Sequence, residues 1–179
     1  MNNHNTEDPG QDTKAHRRSA LQQGLHYLSC RRVSVWEMDQ RLQRARYPQE
    51  EREQAILNLQ EWKYLDDGEF ARAYCRGKKE RSSRKKVAYE LGRKGVSGED
   101  IARALDQEYS EEEEMEYCRQ HMFKVWDKMS VEYSSKQNWN YLVEAFKGRI
   151  ARKGYPCAGI QKIVEEEPGL FFPDTAKET

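Results

Sequence analysis

The sequence predicts an all-α protein made of three tandem three-helix repeats, about nine helices in an elongated, curved array. Three observations carry this expectation: one pattern that occurs three times, apolar stripes at helical spacing ahead of each copy, and a composition too charged for one thick core. The copies are Leu42-Gln43-Arg44-Ala45-Arg46-Tyr47-Pro48, Leu91-Gly92-Arg93-Lys94-Gly95-Val96-Ser97 and Ile150-Ala151-Arg152-Lys153-Gly154-Tyr155-Pro156. In each, a further apolar residue (Ile56, Leu105 or Val164) follows the first by the same 14 positions. The pattern reads as a helix end, a tight turn and a helix start. Gly tolerates the left-handed backbone after a helix, and Pro or Ser suits the first positions of the next.

The stretch ahead of each copy supplies the third helix. Leu21, Leu25 and Leu28 form one stripe, Phe70, Ala73 and Tyr74 a second, and Met115, Cys118, Met122, Val125 and Met129 a third, all at steps of three and four. Ser34-x-x-Glu37, Asp66-x-x-Glu69 and Ser110-x-x-Glu113 each fit a capping box, in which a side-chain oxygen and a carboxylate satisfy unpaired amides at a helix start. The units fall at about 18–65, 66–108 and 109–167, with tails at 1–17 and 168–179 expected to be disordered. Core candidates are Leu25, Leu28, Met38, Leu42, Ile56 and Leu59 in the first unit. They are Phe70, Val87, Leu91, Ile101 and Leu105 in the second, and Met122, Val125, Phe146, Ile150, Ile160 and Val164 in the third.

Composition agrees with stacked small units. Apolar residues make up 36% and charged residues 35%, the latter above the roughly 25% of an average domain, so each unit buries a narrow stripe and exposes much charge. The formal net charge of zero is a cancellation. Between positions 72 and 94 stand ten cations, Arg72, Arg76, Lys78, Lys79, Arg81, Arg84, Lys85, Lys86, Arg93 and Lys94, against only Glu80 and Glu90. Between 106 and 116 the sign reverses, with Asp106, Glu108, Glu111, Glu112, Glu113, Glu114 and Glu116.

The four cysteines, at 30, 75, 118 and 157, form no C-x-x-C pair and follow no secretory leader, so free thiols in a reducing cytoplasm are expected. No stretch approaches the roughly 20 apolar residues of a membrane span, so no membrane partner is expected.

Tyr64-Leu65-Asp66-Asp67-Gly68-Glu69-Phe70-Ala71 resembles the Y-L-D-D-x-x-F-A motif of the RecX family. Glu90-Leu91-Gly92-Arg93-Lys94-Gly95-Val96 with Ile101 is similar to that family's E-L-x-x-K-G-I-x-x-x-x-I. Arg32-Val33-Ser34-Val35-Trp36-Glu37-Met38 with Arg41-Leu42 resembles its R-x-S-x-x-E-L-x-x-K-L. The resemblance covers about residues 20–166. Met38 stands for the usual Leu, Arg46 for a common Gly, and Ser82-Ser83 where many members have a Gly; the lead from Trp126 to Trp139 has no clear counterpart. The resemblance implies tandem three-helix units and a non-enzymatic regulator without cofactor. It also implies a partner, the RecA recombinase filament on single-stranded DNA, whose ATP hydrolysis and strand exchange such a regulator lowers.

The basic run is the functional candidate that physics supplies, although charge runs usually form solvated faces. A helix beginning near Ser83 would put Arg84, Lys85 and Lys86 in its first turn, where the helix dipole disfavours cations by a few tenths of a kcal/mol each. Phosphate or an acidic RecA surface would offset that cost, with Arg152 and Lys153 joining from the third unit so that the array bridges filament subunits. Tyr64, Asp66 and Asp67 read as a helix start, with Tyr64 packed against the next turn, rather than as catalytic groups. Cys118-x-x-His121 lacks a second pair for zinc, and Cys118 continues an apolar stripe. The heptad-like row from Met115 to Met129 is too short for a convincing coiled coil and suits packing within the third unit, the chain being a monomer. The glutamates 111–114 suit their own helix start, with repulsion of DNA that sets orientation as the alternative reading. Two rivals remain open: a nucleic-acid-binding helical module acting without RecA, and a structural adaptor. An enzyme is distant, because no nucleophile, base and orienting group come together.

Overall fold

A computed structural model describes residues 18–133 and 139–167. The expected tails and part of the lead before Trp139 lie outside the described residues. Among the described residues there are nine α-helices and no strand: α1 Ala20–Cys30, α2 Val35–Arg44, α3 Gln49–Glu61, α4 Asp67–Lys78, α5 Arg84–Gly92, α6 Gly98–Glu108, α7 Glu111–Tyr133, α8 Trp139–Ala151 and α9 Cys157–Glu166.

The helices start and stop where their local chemistry requires. Ser34 caps α2 in a full box: its hydroxyl accepts from the Glu37 N–H at 3.1 Å and the Glu37 carboxylate accepts from the Ser34 N–H at 3.4 Å. Ser110 and Glu113 form the same box at 3.1 and 3.0 Å. A further box, Ser19 with Gln22, opens α1 and was not expected from the sequence. The second helices of the three copies end on left-handed residues at equivalent places: Arg46 (φ 62°), Gly95 (φ 78°) and Gly154 (φ 92°). The Tyr47 N–H then donates to the Leu42 carbonyl at 3.2 Å and the Val96 N–H to that of Leu91 at 3.3 Å, closing the turn as a left-handed helix cap does. The residue after each left-handed position, Tyr47, Val96 or Tyr155, is buried. Each turn is thereby pinned to its core. Pro48, Ser97 and Pro156 stand at the N-caps of α3, α6 and α9.

The chain folds as two compact units that divide between Asp66 and Asp67. The first holds α1–α3 around Ala20, Val33, Met38, Leu42, Tyr47, Ala55, Leu59 and Leu65. Leu25, expected in this core, is instead 36% exposed. The buried face of α1 carries Ala20 and Gly24, because helix packing there is too close for a large side chain: a Cβ on Gly24 would stand 2.8 Å from Leu59 Cδ1. Leu28 and Ile56 are half-buried against the same core.

The second unit holds α4–α9 and two apolar clusters. One joins α4, α5 and α6 through Phe70, Ala71, Cys75, Val87, Leu91, Ala104, Leu105 and Tyr109, with Ile101 half-buried beside them. The other joins α7, α8 and α9 through Cys118, Met122, Trp126, Met129, Phe146, Ile150, Ile160 and Val164, with Met115 and Val125 half-buried. The row from Met115 to Met129 is thus spent inside the molecule, and Trp126 meets Phe146 edge-on at 5.3 Å. A backbone bond links the two clusters: the Ser83 N–H donates to the Lys153 carbonyl at 3.2 Å. Beside it, the fully buried Tyr109 donates its hydroxyl to the Ser82 carbonyl at 2.9 Å.

Candidate functional site

The helix expected near Ser83 begins there: Ser83 is the N-cap of α5, its hydroxyl accepting from the Lys86 N–H at 3.1 Å, and no acid lies in the first turn. The structure divides the cations of the basic run into two groups. In the first group, each cation has an acid partner. Arg72 pairs with Glu69 and Arg76 with Glu108, while Lys78 reaches Glu90 at 3.5 Å and Lys79 reaches Glu113 at 2.7 Å. The Glu113 hydrogen bond holds the Lys79 ammonium above its usual range. Glu90 sits below the usual carboxylate range, because it accepts from the Tyr74 hydroxyl at 2.6 Å and lies near Lys78.

Arg84 is the most committed of these cations. Its guanidinium bonds Asp106 at 2.9 Å, the Leu105 carbonyl at 3.2 Å and the Tyr109 carbonyl. It therefore closes the C-terminal end of α6, where the helix dipole favours a cation. Its own backbone N–H donates to the Glu114 carboxylate at 2.7 Å. So a single acid, from the start of α7, occupies the amide end of α5 that the sequence had left to three cations. The acidic run, expected to stabilise its own helix or to repel DNA, also neutralises part of the basic one.

The second group has no ion pair among the described residues: Arg81, Lys85, Lys86, Arg93, Arg152 and Lys153. Arg81, Lys85, Arg93 and Arg152 are exposed, and Lys86 and Lys153 half-buried. Two of these residues come from a distant part of the chain. A Cβ on Gly154 would lie 2.9 Å from Lys86 Cβ, so the turn carrying Arg152 and Lys153 rests on the first turn of α5. Lys94 differs from both groups, lying over the rings of Phe70 and Tyr74 at 6.0 and 5.6 Å.

The motif residues have mixed placements. Leu65, Phe70 and Ala71 are buried, and α4 starts at Asp67 directly after Asp66. Tyr64 does not pack against the next turn: it is 61% exposed and meets the exposed Trp62 ring edge-on at 6.5 Å. Lys63 takes a left-handed conformation (φ 61°) at the end of α3, and here it is the second residue after it, Leu65, that enters the core. Cys118 is buried, and burial raises its thiol to about 12. The ring of His121 meets the Tyr155 hydroxyl at 3.0 Å, and burial with Lys153 and Lys124 nearby holds it below the usual histidine value. Among the described residues no group of three or more possible metal ligands comes together, and no helix is long and apolar enough to cross a membrane. One exposed aromatic on the basic helix, Tyr89, was missed, although its four-residue spacing from Lys85 and Arg93 is visible in the sequence.

These features define a helical three-helix-module protein with a basic surface assembled from two modules. A family model for the second three-helix domain of RecX matches residues 66–105. A regulatory protein RecX of Oceanobacillus iheyensis is 29% identical over 144 residues, covering 79% of this chain and 51% of that protein. Its counterpart in Bacillus pumilus is 27% identical over 151 residues, covering 83% and 55%. The chain spans about half the length of the curated relatives it matches. The fold matches a crystal structure of regulatory protein RecX with a TM-score of 0.69 at 20% identity, over 82% of this chain and 70% of that one. It matches the crystal structure of RecX from Lactobacillus salivarius equally, at 0.69 and 19% identity, over 82% and 93%. The chain is thus similar to regulatory proteins RecX in sequence and has their fold of three-helix domains.

Proposed function

We propose that this chain is a negative modulator of the RecA recombinase in the cytoplasm, engaging as a monomer the RecA filament on single-stranded DNA and lowering its ATP hydrolysis and strand exchange. The observation that carries the reading, beside the likeness to regulatory proteins RecX, is the group of cations without an ion pair on α5 and the α8–α9 turn. A surface that keeps positive charge exposed while neutralising its other cations is suited to a polyanionic partner. The units at 18–65, 66–108 and 109–167 act as linked modules that bridge filament subunits and oppose the motions that ATP turnover requires.

The test is the ATPase of RecA on single-stranded DNA, titrated with the full chain and with the Lys85→Glu/Lys86→Glu variant. Inhibition by the native chain and its loss in the folded variant are expected. An unchanged ATPase with the native chain would leave only an adaptor, and equal affinity for bare and RecA-coated strands would make it an independent nucleic-acid-binding module.

A further inference from the structure

Lys85, Tyr89 and Arg93 follow one another at steps of four residues, which on a helix puts them in one row with a rise of about 6 Å per step. All three are exposed, Tyr89 at 66%, and the Arg93 guanidinium carbon lies 6.0 Å from the Tyr89 ring centroid. Beside the start of the row lies the α8–α9 turn, which carries Arg152 and Lys153 and is held there by the bond from the Ser83 N–H to the Lys153 carbonyl. The Tyr89 ring stands in water between cations and belongs to neither apolar cluster of its unit.

We propose that this row is a track for single-stranded nucleic acid, in which Tyr89 stacks on a base while Lys85, Lys86, Arg93, Arg152 and Lys153 meet the phosphates. The proposal rests on the reading of the chain as a regulator of a DNA-loaded filament and names the nucleic-acid side of that site. The ring decides between ligand classes. Only an unpaired base offers its face to an exposed tyrosine, whereas a duplex keeps its bases stacked on one another, and an acidic protein surface would use the cations but not the ring. Arg84 is not part of the track, since its guanidinium and its amide are both taken by its own fold. The track also depends on the docking of the α8–α9 turn on α5, which brings the turn carrying Arg152 and Lys153 beside the first turn of the helix.

The experiment is fluorescence anisotropy of a labelled oligothymidylate with the full chain over a salt series, using Tyr89→Ala, Tyr89→Phe and Lys85→Ala/Lys86→Ala, with an equal-length duplex for comparison. Tyr89→Ala should weaken binding roughly tenfold without changing the salt slope, while Tyr89→Phe stays within about twofold. The double lysine variant should lower the slope by about 0.7 per residue. Oligothymidylate affinity unchanged in Tyr89→Ala, or a native preference for the duplex, would overturn the track. So would a native chain that binds polyglutamate but not the oligonucleotide, since that pattern belongs to an acidic protein partner. The RecA ATPase of the same proteins separates the two readings: inhibition kept by a native chain whose Tyr89→Ala variant still binds the strand removes only the track. Strand binding that depends on Tyr89 without any effect on RecA removes only the RecA assignment.

Discussion

The carboxylate of Glu114 accepts a 2.7 Å hydrogen bond from the backbone N–H of Arg84, thirty residues earlier in the chain. It is the electrostatic hinge of the second unit. It supplies a negative group at the start of a helix whose own first turn holds only cations, and it comes from the helix that opens the next cluster.

Glu114→Gln keeps the shape of the side chain and removes its charge, so it should lower stability by about 1 kcal/mol, as loss of a charged helix-start partner does. Urea unfolding followed by circular dichroism measures the change. The same variant removes a negative charge next to the first turn that holds Lys85 and Lys86, so its affinity for a single strand should rise while its stability falls. A merely local defect would lower both.

Tyr109, buried in the α4–α6 cluster, ties its hydroxyl to the turn between α4 and α5. Tyr109→Phe removes the donor and leaves the Ser82 carbonyl unpaired in the interior, at an expected cost of about 1–2 kcal/mol. Stability should fall without any change in the exposed cations, so strand affinity measured well below the transition should be unchanged.

The four thiols should divide two and two. Cys30 and Cys157 are exposed and should react with a disulfide reagent at once, whereas Cys75 and Cys118 are buried and should react only on opening of the fold. Burial raises Cys75 from 9.0 to about 11 and Cys118 to about 12. Above pH 9 the folded chain keeps both protons while the unfolded chain releases them, so stability is full below about 9 and is lost as the pH rises towards those folded values. Glu90, held low by Tyr74, acts in the opposite direction: its contribution is present above the usual carboxylate range and lost as the pH falls through its lowered value. Denaturant midpoints measured across the pH range should therefore decline at both ends.

The helices and most of the core were legible because their signals are local. The thrice-used turn, the capping serines and the stripes at steps of three and four each act within one or two helical turns. Leu25 was misplaced because its neighbour Gly24 gives no hydrophobic signal, although its missing side chain is what lets Leu59 and Met38 approach. Tyr109, Tyr47 and Tyr155 were passed over because an amphipathic ring is ambiguous until a buried acceptor or a pinned turn decides it. The charge runs were visible, but their mutual neutralisation was not. Nothing near Arg84 announces Asp106 or Glu114, so a segment of dense positive charge read as one surface where the fold makes braces of some cations and leaves others bare.

The three left-handed turn positions offer the sharpest comparison. Gly95 and Gly154 adopt their conformation without strain, whereas Arg46 at φ 62° carries a Cβ there, which costs about 1–2 kcal/mol. Arg46 is exposed, so Arg46→Gly removes the strain without opening a cavity. Part of the gain is offset by the larger freedom of glycine in the unfolded chain, leaving a net stabilisation of about 0.5–1 kcal/mol. The reverse change should be unequal at the other two sites. Gly95→Ala meets the backbone penalty at an exposed position, whereas a Cβ at Gly154 would in addition stand 2.5 Å from Ser83 Oγ and 2.9 Å from Lys86 Cβ. Gly154→Ala should therefore be the more damaging of the two and should loosen the α8–α9 turn from α5, reducing strand affinity together with stability, where Gly95→Ala reduces stability alone. Thermal midpoints of the three variants, with oligonucleotide affinity measured at a temperature where all are folded, would show the order Arg46→Gly above native, native above Gly95→Ala, and Gly154→Ala lowest. Equal effects at the two glycines would mean that the turn does not bear on the first turn of α5.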